Sequence, residues 1–231
     1  MLTFFTFWVG FAWTCKPASS SWTATTSPLP RPCFFTHVWG SAMVRLEGPR
    51  VVLGKGESVN IMHPSLKIKG NLTDLDKRYV EAAQKVGLNQ YMLSFVEGAE
   101  DSTALREYHA DAVIAEKIES VKGGRYVSEQ YDGTNRLMFA RGDYFVEVNR
   151  PHHILMAGED IIQKDPQAIA ASRILGSLAY GAEPSCQDIT DVAYLWNTGY
   201  RTFMLGDEVC QQRDSVIGAL NLLEAIVGTR G

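Results

Sequence analysis

Apolar positions along this chain follow two alternating periods from residue 44 onward. Short runs rich in branched and aromatic residues are typical of strands, and longer segments with apolar residues every three or four positions are typical of helices. The strand-like runs after residue 89 cover residues 90–96, 112–118, 136–140, 168–172 and 202–205. The helix-like segments cover residues 75–86, 102–109, 121–130, 154–163, 188–196 and 215–227. This alternation predicts βα units, a parallel sheet and the α/β fold class.

The region ahead of the first parallel strand is less regular. Thr73 or Asp74 is a suitable N-cap for the first predicted helix, and Gly87 follows its last periodic residue. Residues 44–53 and 57–62 resemble short strands joined by a glycine-rich turn at residues 54–56, which predicts a hairpin. Residues 44–52 are also a candidate for a sixth strand. A doubly wound sheet fits five or six strands as well as a barrel does, so the rhythm leaves both architectures open.

The first 43 residues differ from the rest of the chain. Residues 1–12 are aromatic and apolar, residues 14–32 are rich in Ser, Thr and Pro, and no acidic residue precedes Glu47. A signal peptide would carry basic residues ahead of its apolar run, and a membrane anchor needs about 20 apolar residues, so neither is favoured. A first strand and translated sequence ahead of a start at Met43 stay open. We assign residues 1–43 to a poorly defined segment and residues 44–231 to one domain, and we predict that residues 1–39 are dispensable or poorly ordered.

Composition narrows the classes of partner. The net charge is −4 and no basic patch is present, which argues against nucleic acid. The four cysteines, Cys15, Cys33, Cys186 and Cys210, are far apart and form no C-x-x-C pair. A chain of this length does not need disulfides to fold, so we interpret them as reduced thiols. The sequence therefore predicts a cytoplasmic protein without a membrane partner, and it leaves homo-oligomer formation open.

Polar side chains cluster where the predicted strands end, which is where parallel sheets carry their functional sites. Lys117 and Glu119 are two residues apart at the end of the second strand, so their side chains should point to the same face. Asp143 follows the next strand. Two carboxylates on neighbouring strands can hold a hard divalent cation, and a lysine beside them can stabilise an enolate or transfer a proton. The alternative is a structural Lys–Glu ion pair at the rim of the sheet.

These residues lie in segments that resemble motifs of the pyruvate kinase family. Residues 92–96 followed by 99–101 resemble A-S-F-I/V-R-x-A-x-D, 115–119 resemble S/A-K-I-E, 139–143 resemble V-A-R-G-D, 171–177 resemble A-T-Q-M-L-E-S, Pro184 with residues 190–193 resembles P-T-R-A-E-x-S-D-V-A-N, and 204–208 resemble M-L-S-G-E. The six segments follow in the family's order and at its spacing, over roughly residues 65–227. One short motif would carry little weight, but six in order indicate common descent.

The resemblance implies a (β/α)8 TIM barrel with Mg²⁺ or Mn²⁺ as cofactor. It implies that Glu119 and Asp143 are metal ligands, and that Lys117 is a catalytic residue facing the enolpyruvate oxygen or the transferring phosphoryl group. The substrate-binding residues that it implies are Ser94, Arg141, Gly142 and Ser172. The backbone of residues 141–143 and the Ser172 hydroxyl would hold the carboxylate of a phosphoenolpyruvate- or pyruvate-like 2-oxo acid.

The chain also departs from the family's pattern. Residues 32–37 lack the Arg and Asn of R-x-N-F-S-H, residues 44–49 lack the Asp of D-T-K-G-P, and Glu97 stands where the family carries Arg. We expect the lid domain to be reduced to a hairpin and the C-terminal domain to be absent. An enolate needs only the metal, Lys117 and the carboxylate cradle, so we favour aldolase-, lyase- or decarboxylase-type chemistry over phosphoryl transfer. The alternatives are a true but reduced pyruvate kinase and a non-catalytic binding or regulatory relative.

Overall fold

The computed structural model describes residues 72–229, together with the backbone of four short strands between residues 24 and 61. Residues 72–229 contain one sheet of five strands, in which each strand pairs in parallel with the next along the chain. The strands are β1 (Gln90–Leu93), β2 (Val113–Ile118), β3 (Arg136–Ala140), β4 (Ile169–Ala171) and β5 (Thr202–Phe203). The predicted α/β class with a parallel sheet is confirmed.

One helix precedes the first parallel strand, and others connect the strands and follow the last of them. They are α1 (Asp74–Lys85), α2 (Ala99–Tyr108), α3 (Val121–Glu129), α4 (Arg141–Glu147), α5 (His153–Lys164), α6 (Cys186–Thr198), α7 (Asp207–Cys210) and α8 (Arg213–Gly228), with a 3-10 turn at Gly176–Ala179. The six predicted helices are all present with ends displaced by a few residues. The sequence did not predict α4 or α7. In residues 72–229, no helix combines the length and the hydrophobicity that a membrane crossing requires.

Helix α1 shows how the sequence sets the ends of an element. The Asp76 amide donates to the Thr73 hydroxyl at 3.2 Å, and the Thr73 amide donates to the Asp76 carboxylate at 2.8 Å. This reciprocal pair is a capping box, and it confirms Thr73 as the N-cap. Gly87, with φ of 75°, follows the helix in the left-handed conformation that glycine adopts without steric cost.

The two faces of the parallel sheet are packed differently. Alternate residues of a strand point to opposite faces. On the helix face, Ile114, Ile118, Leu137 and Phe139 join the main apolar core that the helices complete. On the other face, which we call the methionine face, a smaller cluster contains Met138, Ile169 and Ala171, with Met92, Ala115 and Met204 packed against it. The alternation along β2 puts Glu116 on the helix face and Lys117 on the methionine face.

The described strands form a row with two edges, β1 and β5. In this row β3 is central and buried along residues 137–140, as expected for a strand that is covered on both faces. The row does not close on itself among residues 72–229. The finer prediction of a closed barrel therefore stays a prediction.

The described strands upstream of residue 72 belong to a second compact unit. There Phe34–Val38 pairs antiparallel with Ser41–Arg45, and Ala24–Thr25 pairs antiparallel with Asn60–Ile61. Val44 and Arg45 thus pair in a hairpin of this unit and not in the parallel sheet. The hairpin that we predicted around residues 54–56 lies outside the described residues, as does most of the segment 1–43.

Candidate active site

Lys117 and Glu119 lie together where β2 ends, as their spacing predicted. The Lys117 ammonium is 2.8 Å from Glu119 Oε1, and the two side chains are 13% and 2% exposed. Such burial withdraws both charges from water, so the pair depends on further hydrogen bonds for its stability. A Lys–Glu pair buried at a strand end differs from the solvent-exposed pairs that contribute little to a protein.

The loop after β1 supplies those further bonds. The Lys117 ammonium donates to Ser94 Oγ at 3.0 Å, and the Phe95 amide donates to Glu119 Oε2 at 2.6 Å. Phe95 has a φ of 52°, a left-handed conformation that disfavours a side chain by about 1–2 kcal/mol. The loop adopts this conformation while its amide donates to the Glu119 carboxylate. Ser94, which the resemblance implied as a substrate-binding residue, thus contacts Lys117.

Electrostatics link Glu119 to Asp143. Burial raises the pKa of the Glu119 carboxyl, the Lys117 ammonium and the Phe95 amide oppose this rise, and the charge of Asp143 adds to it. Asp143 lies in the first turn of α4, which begins directly after β3. Two carboxylates that repel each other across neighbouring strand ends present hard oxygen donors to a cation.

The donors fit a Mg²⁺ or Mn²⁺ ion that keeps part of its water. Among residues 72–229, no group of three or more His, Cys, Asp or Glu side chains could hold a metal. An ion at this point would therefore take carboxylate oxygens from Glu119 and Asp143, and the rest of its octahedron from water and substrate. That pattern is usual for Mg²⁺, which dehydrates reluctantly and binds through one or two carboxylates.

Gly142 and Ser172, two of the predicted substrate-binding residues, lie close to each other. A Cβ added at Gly142 would lie 3.3 Å from the Cβ and 3.5 Å from the Oγ of Ser172. Ser172 begins a loop in which three residues have positive φ: Ser172 at 71°, Arg173 at 56° and Leu175 at 52°. Each left-handed side-chain residue is disfavoured by about 1–2 kcal/mol, so neighbouring contacts must hold this loop.

The Arg141 side chain makes contacts that the sequence did not predict. Its guanidinium donates to both carboxylate oxygens of Asp191 on α6, at 2.7 and 2.8 Å, and to the Ser172 carbonyl at 2.9 Å. The guanidinium of Arg141, one of the predicted substrate-binding residues, therefore binds other residues of the protein. In the sequence, Asp191 was noted only as part of the T-D-V-A segment. Its contact with Arg141 joins residues 50 positions apart, which local sequence patterns do not predict.

Glu97 forms an ion pair and a hydrogen bond that the sequence did not predict. Ser120 Oγ donates to Glu97 Oε1 at 2.7 Å, and the Lys122 ammonium lies 2.9 Å from Oε2. The negative charge of Glu97, at a position where the family carries Arg, is thus neutralised by Lys122 from the first turn of α3. Nearby, the Val121 amide donates to Glu147 at 3.0 Å, and burial raises the pKa of the Glu147 carboxyl, with the charges of Glu97 and Asp143 adding to the rise.

Most of this chain matches one known protein family. The family model described as pyruvate kinase, barrel domain, matches residues 43–213. A pyruvate kinase of Thermoplasma acidophilum is 27% identical over 165 residues, 68% of this chain and 30% of that protein. Pyruvate kinase 1 of Saccharomyces cerevisiae is 27% identical over 164 residues, covering 68% and 33%. A pyruvate kinase of Sporosarcina psychrophila is 28% identical over 165 residues, covering 68% and 28%.

The matched relatives are much longer than the matched region, and all of them bear the name of one enzyme. The aligned part of this chain spans about a third of the length of these relatives. All three relatives bear the name of a phosphotransferase, so the matches do not support the lyase-type chemistry that we favoured from the sequence. They agree better with the alternative, a reduced pyruvate kinase.

Proposed function

Because this chain belongs to the pyruvate kinase family through that family's barrel domain, we propose that it transfers the phosphoryl group of phosphoenolpyruvate to ADP. The observation that carries the proposal is the Lys117 ammonium, buried at a strand end, 2.8 Å from Glu119 and 3.0 Å from Ser94. A buried cation fixed in direction can balance the negative charge that gathers on the transferring phosphoryl group and on the enolate oxygen.

The proposed roles of the carboxylates follow from their donors. Glu119 and Asp143 hold Mg²⁺ or Mn²⁺, which would supply charge neutralisation at the phosphoryl and enol oxygens. Burial raises the pKa of the Glu119 carboxyl, and the Lys117 ammonium opposes this rise and so favours the ionised carboxylate that a metal requires. Ser94 accepts a hydrogen bond from Lys117 and so restricts the direction in which the ammonium points.

The proposed carboxylate cradle lies beside α4. Backbone amides of residues 141–143 and the Ser172 hydroxyl bind the carboxylate of the substrate. The support is the approach of Gly142 to Ser172, since a Cβ at position 142 would lie only 3.3 Å from the Ser172 Cβ. A carboxylate in this position is held at one end while its enol oxygen or phosphoryl group is presented to Lys117, and such orientation contributes much of an enzyme's rate.

We extend the proposal to the architecture. The five parallel strands are part of a (β/α)8 barrel, the fold that the resemblance implies. The family model supports this, since it begins at residue 43 and so includes residues ahead of the first parallel strand. In such a barrel the methionine face would be the interior, and Lys117 would point into it near its carboxyl-terminal mouth.

The test is ATP formation by the 231-residue chain from phosphoenolpyruvate and ADP, with Mg²⁺ or Mn²⁺ present. Residues 32–37 lack the family's Arg, and losing such a cation lowers phosphoryl transfer by about 10³-fold or more, so we expect slow turnover. We expect Lys117→Met to lower the rate a further 100-fold or more, by about the usual effect of one catalytic group.

Lys77→Met is the matched control, because it removes a lysine from another ion pair, that with Asp74. It should leave the rate unchanged. Deuterium incorporation into the pyruvate methyl group in D₂O measures enolate formation separately. Metal-dependent deuterium incorporation without any ATP would contradict phosphoryl transfer and return the lyase-type interpretation. If the protein binds Mn²⁺ but shows neither ATP formation nor deuterium incorporation, a non-catalytic relative is favoured.

A further inference from the structure

We propose that Arg141 and Asp191 form a positioning clamp that sets the Ser172 hydroxyl against Gly142 and so shapes the site for the substrate carboxylate. This inference rests on the proposed function, because it concerns the same cradle. It assigns a role to Asp191, and it adds a role for the Arg141 side chain, which holds the residues around the cradle, to the backbone role that the resemblance implied.

The guanidinium of Arg141 joins three elements. Its Nη1 and Nη2 donate to Asp191 Oδ1 and Oδ2 on α6 at 2.7 and 2.8 Å. Its Nη2 also donates to the Ser172 carbonyl at 2.9 Å, and its Nε lies 3.4 Å from the Ala171 carbonyl at the end of β4. A planar fork matched to both oxygens of a carboxylate fixes the orientation of both partners.

The loop that the clamp holds is conformationally disfavoured. Ser172 and Arg173 are consecutive residues with φ of 71° and 56°. Residues in such sparsely populated conformations persist where surrounding contacts determine them, and they concentrate at ligand sites. At Ser172 the contact that the structure supplies is the hydrogen bond from Arg141 to its carbonyl.

Helix α6 holds the loop at its far end as well. The amide and hydroxyl of Ser177 donate to Asp188 Oδ2 at 2.8 and 2.5 Å. Asp188 and Asp191 are three residues apart and therefore lie on one side of α6. Helix α6 thus fixes the loop after β4 directly through Asp188 and, through Arg141, at Ser172.

The position of Arg141 in the chain couples the clamp to the cradle. Arg141 immediately precedes Gly142, whose absent side chain lets Ser172 approach. A single residue therefore holds one side of the cradle through its backbone and the other side through its guanidinium. Loss of the fork should let Ser172 leave its left-handed conformation and move its hydroxyl away from Gly142.

The test uses Asp191→Asn, which keeps the shape of the side chain but removes its charge, in the 231-residue chain. Mn²⁺ binding is measured by electron paramagnetic resonance. Oxalate, a planar dicarboxylate that mimics the pyruvate enolate, is then titrated into the Mn²⁺-loaded protein. We expect Mn²⁺ affinity within about twofold of wild type and oxalate affinity lower by about 10- to 100-fold, the range that follows displacement of a binding group by about 1 Å.

Hydrogen exchange provides a readout that does not depend on any ligand. Amides of residues 172–178 should exchange faster in Asp191→Asn than in wild type, while those of β2 stay protected. Arg141→Lys serves as the second variant, because it keeps the positive charge but cannot form the fork, and it should show the same pattern. Asp74→Asn is the control: it breaks the Lys77–Asp74 ion pair far along the chain and should change neither readout.

The outcomes separate the clamp from the proposed function. Unchanged exchange and unchanged oxalate affinity in both variants overturn the clamp. Loss of Mn²⁺ affinity together with oxalate affinity also overturns it, because the pair would then support the whole site and not the cradle. Wild-type protein that binds Mn²⁺ but no oxalate contradicts the proposed function, and hydrogen exchange alone then decides whether the clamp holds the loop.

Discussion

Two buried carboxylates on the same strand end, Glu116 and Glu119, have opposite surroundings. Glu116 is fully buried on the helix face, where its oxygens accept from Ser102 Oγ at 2.6 Å, Asn135 Nδ2 at 2.6 Å and Tyr126 OH at 3.2 Å. Glu119 is 2% exposed and accepts from the Lys117 ammonium and the Phe95 amide. Three uncharged donors surround Glu116. Glu119 instead pairs with the Lys117 cation and is repelled by the charge of Asp143.

The difference lies in what remains available for chemistry. The Glu116 donors come from α2, α3 and the turn before β3, so this carboxylate ties three segments to β2. Burial raises the pKa of the Tyr126 hydroxyl, and the charge of Glu116 raises it further, which keeps Tyr126 a donor. Glu119 instead has a cationic partner, Lys117, and the like charge of Asp143 nearby, and such surroundings concentrate at functional sites. Burial of a carboxylate alone therefore does not identify a functional site.

The largest expected effect is the loss of stability in Glu116→Ala. The substitution leaves Ser102, Tyr126 and Asn135 as buried donors without their acceptor. Each such donor costs about 1–3 kcal/mol, so the free energy of unfolding should fall by about 3 kcal/mol or more. Urea unfolding followed by circular dichroism measures this. Glu107→Ala, at an exposed glutamate of α2, is the control, and an equal loss in both variants would remove the structural role of Glu116.

The second effect concerns the metal. Asp143→Ala removes one of the two proposed ligands, and we expect Mn²⁺ affinity to fall by about 100-fold or more, because loss of a residue that only supports a ligand already costs about 10- to 100-fold. Glu116→Gln alters the other buried carboxylate of β2 and should leave Mn²⁺ affinity unchanged. Equal Mn²⁺ affinity of wild type and Asp143→Ala would show that the two carboxylates near Lys117 form no metal site.

The third effect is the pH dependence of metal binding. The pKa of the Glu119 carboxyl is raised above its ordinary value of 4.5 by burial. Mn²⁺ requires the ionised carboxylate, so below the raised pKa protons compete with the metal and the affinity falls by up to about tenfold per pH unit. Titrations between pH 7 and 4.5 should show the decline beginning above pH 4.5. An affinity that stays constant to pH 4.5 would place Glu119 outside the metal site.

The smallest effect is expected at Glu97, another carboxylate of this region. Its partner Lys122 is 68% exposed, and an exposed ion pair contributes about 1 kcal/mol or less. Lys122→Met should therefore change the free energy of unfolding by less than that amount, since Ser120 still donates to Glu97. Urea unfolding of this variant beside Lys77→Met tests the expectation. If the free energy of unfolding falls several times more than this, the Glu97–Lys122 pair stabilises the protein as a buried ion pair such as Lys117–Glu119 would, which contradicts the expectation.

The sequence predicted this comparison only in part. Strand periodicity is local, so the shared face of Lys117 and Glu119 could be predicted from two positions on one strand. The same periodicity puts Glu116 on the opposite face, but nothing local reveals that Ser102, Tyr126 and Asn135 converge there. The Arg141–Asp191 and Glu97–Lys122 pairs join residues 50 and 25 positions apart, and such distances depend on the tertiary fold. Helix α4 was missed because its first residues resemble a polar strand end.

The methionine face gives the protein its own set of spectroscopic probes. Of the seven methionines, Met92, Met138 and Met204 lie on this face, and Met138 is the register partner of Lys117. Isotope labelling of methionine methyl groups would therefore place narrow NMR signals along the surface beneath the candidate site, without any engineered tag. A paramagnetic ion broadens nearby methyl signals with a steep dependence on distance. The relative broadening of these three signals by Mn²⁺ would locate the ion across the sheet, strand by strand.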